Sequence, residues 1–600
     1  MKEDREWIIK GENLLSKWAN KVNPKAPLPE YPRPQMKRDN WLNLNGLWEY
    51  AIKHNIPKFN PVDLDGLDGT ILVPYPVESA LSGVKKRVSP KNCVIYRKKF
   101  IIPEEWDGKK ILLHFGAVDW KSTIYINKKE IDTHIGGYLP FTVDISEALQ
   151  EENELLVVVW DPTNRGNQQF GKQTLFPNTV FYTAVSGIWQ TVWLEPVPER
   201  FISEVKLIPD IDNHALDVSV SVNPSPSSTI SIKYEVLDDG KCISSGNSNG
   251  KLIFNIIMKN YEIWTPNNPH LYDLKLSIID DGTITDTVVT YFGIRKISLK
   301  LDDDGQPRIA LNDEIFFQFG PLDQGYWPDG LYTAPTDDAL KFDIEIAKEL
   351  GFNMIRKHIK IEPQRWYYWC DKLGMLVWQD MPNGGNTMAS LVKTFLGSKG
   401  KRDVNINPGR KKQADKDIYY NELRDMIIAL QNHPSIVVWV PFNEGWGQFK
   451  TSEVVNIIRE LDNSRLIDAA SGWIDEGLGD ISDIHQYPGP GMPAADDKRA
   501  VVCGEFGGLL LKIPNHNWKS KMPFIIYKRL KDQDRLLQVY TTLMEKLEEL
   551  KDQGLSAAVY TQIADVETEL NGLLTYDREV IKLEMAQFKT LHEKIITNRR

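Results

Sequence analysis

The chain has 600 residues, of which 42% are hydrophobic and 26% are charged, and its net charge is −10. At about 150 residues per domain, this length predicts four domains, or three if one is a large barrel, and the apolar content excludes a disordered chain. A mildly acidic balance argues against a nucleic-acid partner, which requires a basic surface. The longest apolar runs, such as Ile436–Phe442, fall well short of the ~20 residues of a membrane helix, so no membrane partner is expected.

The cysteines and the N-terminus carry little functional signal. Cys93, Cys242, Cys370 and Cys503 lie far apart, and no Cys/His cluster has the spacing of a metal site, so we predict no metal and no other cofactor. The opening segment MKEDREWIIKGENLL is charged and lacks the apolar core of about 7–15 residues that a signal peptide contains. We therefore expect a cytoplasmic chain, or a periplasmic or secreted one if a signal was removed.

The first half of the chain has the short, turn-separated strands of β-sandwiches. Residues 1–198 are predicted to form an N-terminal jelly-roll β-sandwich preceded by an extended segment, with strands at Val94–Phe100, Lys110–Phe115, Ser122–Ile126 and Leu155–Trp160. Residues 199–298 are predicted to form an immunoglobulin-like β-sandwich, with strands at Ala215–Val222, Thr229–Val236, Leu252–Ile257 and Tyr272–Ile279.

From residue 299 to 600 strands alternate with helices, which predicts a C-terminal (β/α)8 TIM barrel. The predicted barrel strands are Ile315–Phe319, Asn353–His358, Met375–Gln379, Ile436–Asn443, Leu466–Ala470, Asp483–Tyr487, Val501–Glu505 and Ala557–Thr561. The predicted helices between them include Asp337–Leu350, Pro363–Leu373, Asp415–Gln431, Thr451–Leu461 and Leu536–Gln553. A charged insert at 384–414 is predicted to be a loop over the barrel mouth.

Two carboxylates end predicted barrel strands. The fourth strand continues as IVVWVPFNEGWGQ, which places Glu444 at its end, and the seventh reads VVCGEFGG, which places Glu505 at its end. Active sites of such barrels lie at the carboxyl ends of the strands, so both side chains are expected at the same rim. The alternative for each glutamate is a surface carboxylate or a cap for the following helix.

A facing pair of carboxylates suits the hydrolysis of a glycosidic bond. One group must hold a proton for the departing oxygen, and the other must be ionised. A separation of about 5–5.5 Å allows direct attack on the sugar and retention of configuration, whereas about 6.5–9.5 Å leaves room for a water and gives inversion. The sequence leaves this distance open.

Several segments resemble glycoside hydrolase family 2, which includes β-galactosidases, β-glucuronidases and β-mannosidases. The resemblance runs from about residue 40 nearly to the end, and its segments are NWLNLNGLWEY, VSGIWQTVWLEP, PNNPHLYDL, FGIRKI, GFNMIRKH, DKLGMLVWQDMP, HPSIVVWVPFNEGWG and VVCGEFGG. It implies a retaining exo-β-glycosidase with Glu444 as acid/base and Glu505 as nucleophile. The default substrate is a β-galactoside, and the partner is thus a carbohydrate.

The resemblance also implies roles for residues around this pair. Asn443 matches the residue that holds the sugar 2-hydroxyl, Tyr487 matches a tyrosine that hydrogen-bonds the nucleophile, and Arg356 matches an arginine that braces the nucleophile. Further predicted sugar contacts lie at strand ends: His358, Asp380, His485, Trp473 and Gln562. Trp446 is a second aromatic that could stack on the sugar or seal the rim.

Departures from the family pattern leave the sugar open. Phe181 stands where galactosidases and glucuronidases of the family often carry an aspartate. Asn571 has no lysine two positions later, which disfavours a glucuronidase, since a sugar carboxylate needs a cation. A glucuronide, a mannoside or another β-glycoside therefore stays an alternative to the galactoside. A non-catalytic carbohydrate-binding protein is the alternative outside enzymes.

Overall fold

The structure is a computed structural model that describes residues 7–11, 14–54, 66–225, 230–385, 410–519 and 527–597. It contains two antiparallel β-sandwiches followed by a parallel barrel, so the predicted fold class is confirmed. The boundaries predicted between these three parts stay a prediction. None of the described helices combines the length and the apolar character needed to cross a membrane.

The N-terminal sandwich consists of a four-stranded and a six-stranded sheet, in the orders β1-β14-β5-β9 and β3-β2-β4-β10-β7-β8, together with the short pairs β11-β12 and β13-β6. Its strands alternate buried apolar and more exposed side chains, as in Asn153–Trp160, so the inner faces form one core. Its strands β1 to β14 are Leu42–Asn43, Gly46–His54, Gly69–Val73, Asn92–Phe100, Lys110–Phe115, Val118–Asp119, Lys121–Ile126, Lys129–Ile135, Phe141–Asp144, Asn153–Trp160, Gln173–Thr174, Tyr182–Thr183, Gly187–Ile188 and Val192–Val197.

The second sandwich has sheets in the orders β15-β16-β19 and β18-β17-β20-β21. The four strands predicted here are all present within two residues of their expected limits. Its strands β15 to β21 are Phe201–Asp210, Ala215–Asn223, Ser231–Asp238, Lys241–Asn247, Ile253–Ile257, Tyr272–Asp280 and Thr283–Phe292.

The barrel is a sheet of eight parallel strands in the order β29-β28-β27-β26-β25-β34-β31-β30. A small antiparallel sheet, β22-β23-β24, precedes it, and β32 and β33 form a short pair. The strands β22 to β34 are Ile297–Leu301, Pro307–Leu311, Glu314–Ile315, Gln318–Asp323, Met354–Lys357, Leu376–Asp380, Ile436–Val440, Leu466–Ile467, Ile481–Gln486, Ala500–Gly507, Leu509–Leu510, Lys528–Arg529 and Ala557–Thr561.

The helices lie outside the barrel, and five of them match the predictions to within three residues. They are α1 Asp337–Glu349, α2 Gln364–Leu373, α3 Gln413–Leu430, α4 Thr451–Leu461, α5 Gln533–Asp552 and α6 Met585–Thr597. Their limits follow local signals: the Thr336 side chain caps α1 by accepting from Ala339 N, and Gly374 in the left-handed region ends α2.

The prediction for the first barrel strand is wrong in position. Ile315 belongs to the short strand β24, which pairs antiparallel with β23 and leaves Ile315 42% exposed. The fully buried segment Gln318–Asp323 is the barrel strand instead, because only a strand covered on both faces is buried throughout. The fourth strand is also shorter than predicted, since Pro441 lacks the N–H that would extend the ladder. Most of the predicted 384–414 insert lies outside the described residues.

The jelly-roll sandwich packs directly on the barrel mouth. One buried hydrophobic cluster contains Tyr182 and Trp189 of the sandwich together with Tyr326 and Trp327 of the barrel. Residues of both parts therefore share a core, and loops of the sandwich can line a site at the carboxyl ends of the barrel strands.

Candidate active site

The barrel brings the two predicted carboxylates together. Glu505 lies within β31, and Glu444 follows the end of β28 by four residues. One carboxylate oxygen of each, together with a ring nitrogen of His485, lie within 4.8 Å of one another. Glu505 is 5% exposed, whereas the Glu444 side chain is 14% exposed and so keeps an open side.

The backbone holds Glu444 in an unusual conformation. Its φ is +51°, a region that non-glycine residues adopt only where the surroundings enforce it. Glu444 N donates to Ser471 O over 2.8 Å, and Trp446 N donates to Asn443 O over 2.9 Å. These bonds turn the chain immediately after the strand and direct the carboxyl group toward Glu505.

Glu505 has one occupied and one free oxygen. The Tyr487 hydroxyl donates to Oε2 and lies 3.0 Å from the hydroxyl of Thr561. Oε1 is buried and accepts no hydrogen bond among the described residues, although Arg356 Nη1 and His358 Nε2 each lie 3.6 Å away. A carboxylate oxygen held in this way keeps a lone pair available for attack on a carbon atom.

Arg356 and Asp380 lie behind the carboxylates. The Arg356 guanidinium is fully buried and donates to both oxygens of Asp380 over 3.0 Å and to Asn443 Oδ1 over 2.9 Å. Burial by itself lowers the pKa of Arg356, but Asp380 and Glu505 raise it above its usual value, so this residue stays charged. Arg356 Nη1 lies 3.6 Å from Glu505 Oε1, in line with the expected bracing role, and the sugar contact expected of Asp380 stays a prediction.

Asn443 and its neighbours fit the expected role in holding a hydroxyl. The bond from Arg356 fixes Oδ1, which leaves the amide N–H groups of Asn443 as donors. Asn443 is 3% exposed and directly precedes Glu444. The arginine thus sets the orientation of an amide that lies beside both carboxylates.

His485 lies between the two carboxylates, and its expected contact with the sugar stays a prediction. Its side chain is fully buried, with Nδ1 2.9 Å from Glu444 Oε1 and Nε2 2.8 Å from Ser471 Oγ. Burial by itself lowers the pKa of this imidazole, but Glu505, Asp483 and Glu444 outweigh burial and raise it to about 10. The ring is therefore a cation at neutral pH, and both of its nitrogens donate hydrogen bonds.

His358 heads a hydrogen-bonded row of amides along one pocket wall. Gln324 Nε2 donates to Gln562 Oε1 over 2.8 Å, so Gln324 Oε1 accepts from His358 Nδ1 over 2.9 Å. Gln562 Nε2 continues the row by donating to Asn571 Oδ1 over 2.8 Å. Burial, and next the charge of Lys172, hold the pKa of His358 well below its usual value. The neutral ring therefore presents Nε2 as an acceptor next to Glu505.

Aromatic side chains from two domains flank the carboxylates. Phe181 of the sandwich stacks on Trp446 of the barrel, with ring centroids 5.2 Å apart and planes 11° apart. Trp473 Nε1 donates to His485 O over 2.7 Å and its ring packs edge-on against the imidazole. Trp473 thus supports His485, and the Phe181–Trp446 pair forms a wall of the site.

Sequence reasoning missed the contribution of the sandwich and of Gln324. The Tyr182 hydroxyl donates to Glu569, and Thr183 N donates to Glu567 Oε1 over 2.8 Å, so strand β12 is fastened to the segment after the last barrel strand. Gln324 directly follows β25, and a correct limit for that strand would have revealed it. No sequence signal placed Lys172 or Tyr182 beside the barrel.

Family models match almost the whole of this architecture. The model described as "Glycosyl hydrolases family 2, TIM barrel domain" matches residues 333–578. Models described as "Glycosyl hydrolases family 2" and as its sugar binding domain match residues 200–295 and 65–198. The chain belongs to glycoside hydrolase family 2. The predicted family is therefore confirmed, and with it the class of glycoside hydrolases.

Curated family 2 relatives are similar at low identity. A putative beta-glucuronidase of Formosa agariphila is 27% identical over 58% of this chain, and a beta-galactosidase of Thermoanaerobacter pseudethanolicus is 26% identical over 62%. The chain spans 39% and 47% of the length of these two relatives. A beta-glucuronidase of Paenibacillus borealis is 25% identical, over 73% of both chains.

Solved structures of family 2 share the fold. The β-glucuronidase of Ruminococcus gnavus in complex with N1-substituted uronic isofagomine matches with a TM-score of 0.71 and 19% identity, over 94% of this chain and 100% of that one. The Lactobacillus rhamnosus beta-glucuronidase matches with a TM-score of 0.72 and 20% identity, over 94% and 98% of the two chains. At these identities the likeness establishes the fold alone.

Proposed function

We propose that the chain is a retaining exo-β-glycosidase that acts by double displacement. The observation that carries this proposal is the approach of Glu444 and Glu505 to within 4.8 Å, oxygen to oxygen. Such closeness suits direct attack by a carboxylate, whereas an inverting enzyme needs room for a water between the two groups. The position of both groups at the carboxyl ends of barrel strands supports the same reading.

Each carboxylate has surroundings that suit one role. Glu505 is buried, hydrogen-bonded through Oε2 and free at Oε1, which suits the nucleophile that forms the glycosyl-enzyme bond. Glu444 is more exposed, so it can reach both the leaving oxygen and solvent water, which suits a group that gives its proton to the leaving oxygen and then activates water. Asn443 can donate to the sugar hydroxyl next to the reacting carbon.

The sugar is the finer part of the proposal. The curated relatives are named for galactosides and for glucuronides, so both sugars are candidates for this chain. The β-galactoside expected from the sequence stays a prediction, and a β-glucuronide is the alternative. Walls from two domains around the carboxylates suit a single terminal sugar more than the middle of a long chain.

The stereochemical outcome tests the mechanism directly. Aryl β-glycosides of galactose, glucuronic acid, glucose and mannose are incubated with the protein, and the first sugar released is assigned by proton NMR. Retention predicts that the β-anomer forms first and that the α-anomer grows in only by mutarotation. First release of the α-anomer would refute direct attack, and no release from any glycoside would favour a non-catalytic carbohydrate-binding protein.

A further inference from the structure

Lys172 of the sandwich is a buried cation without a partner at the barrel mouth. It is 8% exposed, and its ammonium has no hydrogen-bond acceptor or ion pair among the residues that the structure describes. Its Nζ lies 5.7 Å from the ring centroid of Tyr182, a contact that stabilises a cation only weakly. The ammonium is not fully enclosed, so an anionic group that enters at the barrel mouth can pair with it.

The loop that carries Lys172 is docked firmly on the barrel. Phe170 N and Gly171 N both donate to Asn383 O, over 2.8 and 3.0 Å. Gly171 has a φ of +59°, and a Cβ there would lie 2.9 Å from Ile359 O. Only glycine allows the loop this close to the residue that follows His358, so the backbone is shaped to bring Lys172 to this point.

Lys172 acts on the same pocket as the nucleophile. It is the second cause, after burial, that lowers the pKa of His358, ahead of Arg356 and His485. His358 Nε2 in turn lies 3.6 Å from Glu505 Oε1. Gly171, the neighbour of Lys172, packs against Ile359, the neighbour of His358, so the lysine lies close to the pocket wall beside Glu505.

We propose that Lys172 binds the carboxylate of a uronic acid, so that the enzyme acts on β-linked uronosides. This inference rests on the proposed glycosidase function and names the class of sugar. It also supplies the cation whose absence after Asn571 argued against a glucuronide. This cation belongs to the N-terminal sandwich, so the search for polar residues at the ends of barrel strands could not find it.

Two pairs of substrates that differ only at C6 isolate the carboxylate. We compare 4-nitrophenyl β-D-glucuronide with the β-D-glucoside, and the β-D-galacturonide with the β-D-galactoside. The wild type is expected to have a higher kcat/KM for the uronide in at least one pair. In K172M this uronide preference should fall by about 10- to 100-fold, the effect of one hydrogen bond to a charged group.

Matched variants separate the charge from the packing. K172R keeps a cation and should retain part of the uronide preference, whereas K129M removes an exposed lysine from β8 of the same sandwich and should leave it unchanged. Equal loss of kcat/KM on uronide and neutral glycoside in K172M would make Lys172 a structural residue and overturn the inference. A wild type that prefers the neutral glycosides would overturn it as well.

Thermal unfolding with free sugars gives a readout that needs no turnover. D-glucuronate or D-galacturonate should raise the Tm of the wild type more than glucose or galactose does, and K172M should lose this difference. Equal stabilisation by sodium sulfate would contradict a site shaped for a uronate. Hydrolysis of neutral glycosides without any response to uronates would refute the Lys172 inference and leave the glycosidase proposal standing. A Lys172-dependent Tm shift with uronates, without hydrolysis of any glycoside, would refute the glycosidase proposal and leave Lys172 as a residue that binds a uronate.

Discussion

The imidazole of His485 donates from Nδ1 to Oε1 of Glu444 over 2.9 Å. The same nitrogen lies 3.6 Å from Glu505 Oε2, so one cation faces both carboxylates. Two carboxylates this close repel each other, and the imidazolium offsets part of that repulsion. Arg356 lies 3.4 Å from Nε2 and opposes the charge of the ring, but the surrounding carboxylates outweigh it.

The charge of His485 predicts a pH-dependent contribution to stability. Its pKa in the folded chain is about 10, against an ordinary value of 6.5. The stabilisation is therefore complete below pH 6.5, decreases as the unfolded chain loses its proton, and is lost as the pH rises through 10. We expect the Tm difference between wild type and H485Q to be largest at pH 5.5 and to narrow at pH 7.5 and again at pH 9.

A control variant tests whether this effect belongs to the site. H516Q changes a partly exposed histidine that pairs with Asp577 and forms no hydrogen bond or ion pair with Glu444 or Glu505 among the described residues. Its Tm difference should not follow the profile of H485Q. A gap between wild type and H485Q that stays constant from pH 5.5 to 9 would contradict a charged His485.

Replacement of the nucleophile should abolish turnover without unfolding the protein. E505Q keeps the shape of the side chain but cannot form a glycosyl-enzyme bond, so kcat should fall on the order of 10⁴-fold or more. Tm and circular dichroism should stay close to wild type. E345Q on α1, which removes a half-exposed surface ion pair with Lys341, is the matched control and should retain full activity. Residual activity of E505Q above about a tenth of wild type would contradict the assignment.

Loss of the acid/base should depend on the leaving group. E444A removes the proton donor, which matters for a poor leaving group such as an alkyl alcohol and little for 2,4-dinitrophenolate. Steady-state kcat/KM should therefore fall far more for the alkyl glycoside than for the dinitrophenyl glycoside. If both fell by the same factor, Glu444 would serve another role.

The stacked pair Phe181–Trp446 should couple the sandwich to the barrel energetically. Their ring centroids are 5.2 Å apart in a nearly parallel arrangement. In a double-mutant cycle of F181A and W446A, the free energies of unfolding should show a coupling of about 0.5–1.5 kcal/mol. Effects that simply add within about 0.3 kcal/mol would mean that the two rings lie side by side without stabilising each other.

The sequence predicted the parts of the site that barrel strands carry. Glu444 and Glu505 leave buried apolar strands at the rim where active sites of such barrels lie, and the structure brings them together. Tyr487 reaches Glu505 as the family resemblance implied. These positions follow from strand order, which a sequence encodes through hydrophobic pattern and spacing.

The remaining parts depend on contacts between distant segments. Whether a buried polar side chain faces the pocket or another side chain is decided by its neighbours. The structure places Asp380 against Arg356 and His485 between the two carboxylates, which no local pattern indicates. Lys172 lies in a loop of another domain, and neither a hydrophobic periodicity nor a sequence motif links it to the barrel. Such placements arise from tertiary packing, which local pattern does not contain.

The backbone of residues 170–171, which docks on Asn383, belongs to a different domain from Glu444 and Glu505. With the proposed role of Lys172, bond cleavage and ligand choice reside on separate pieces of the polypeptide, and the piece that carries Lys172 is a loop whose residues 168–175 are buried. Replacement of that loop would therefore change which sugar is selected and leave Glu444 and Glu505 in place.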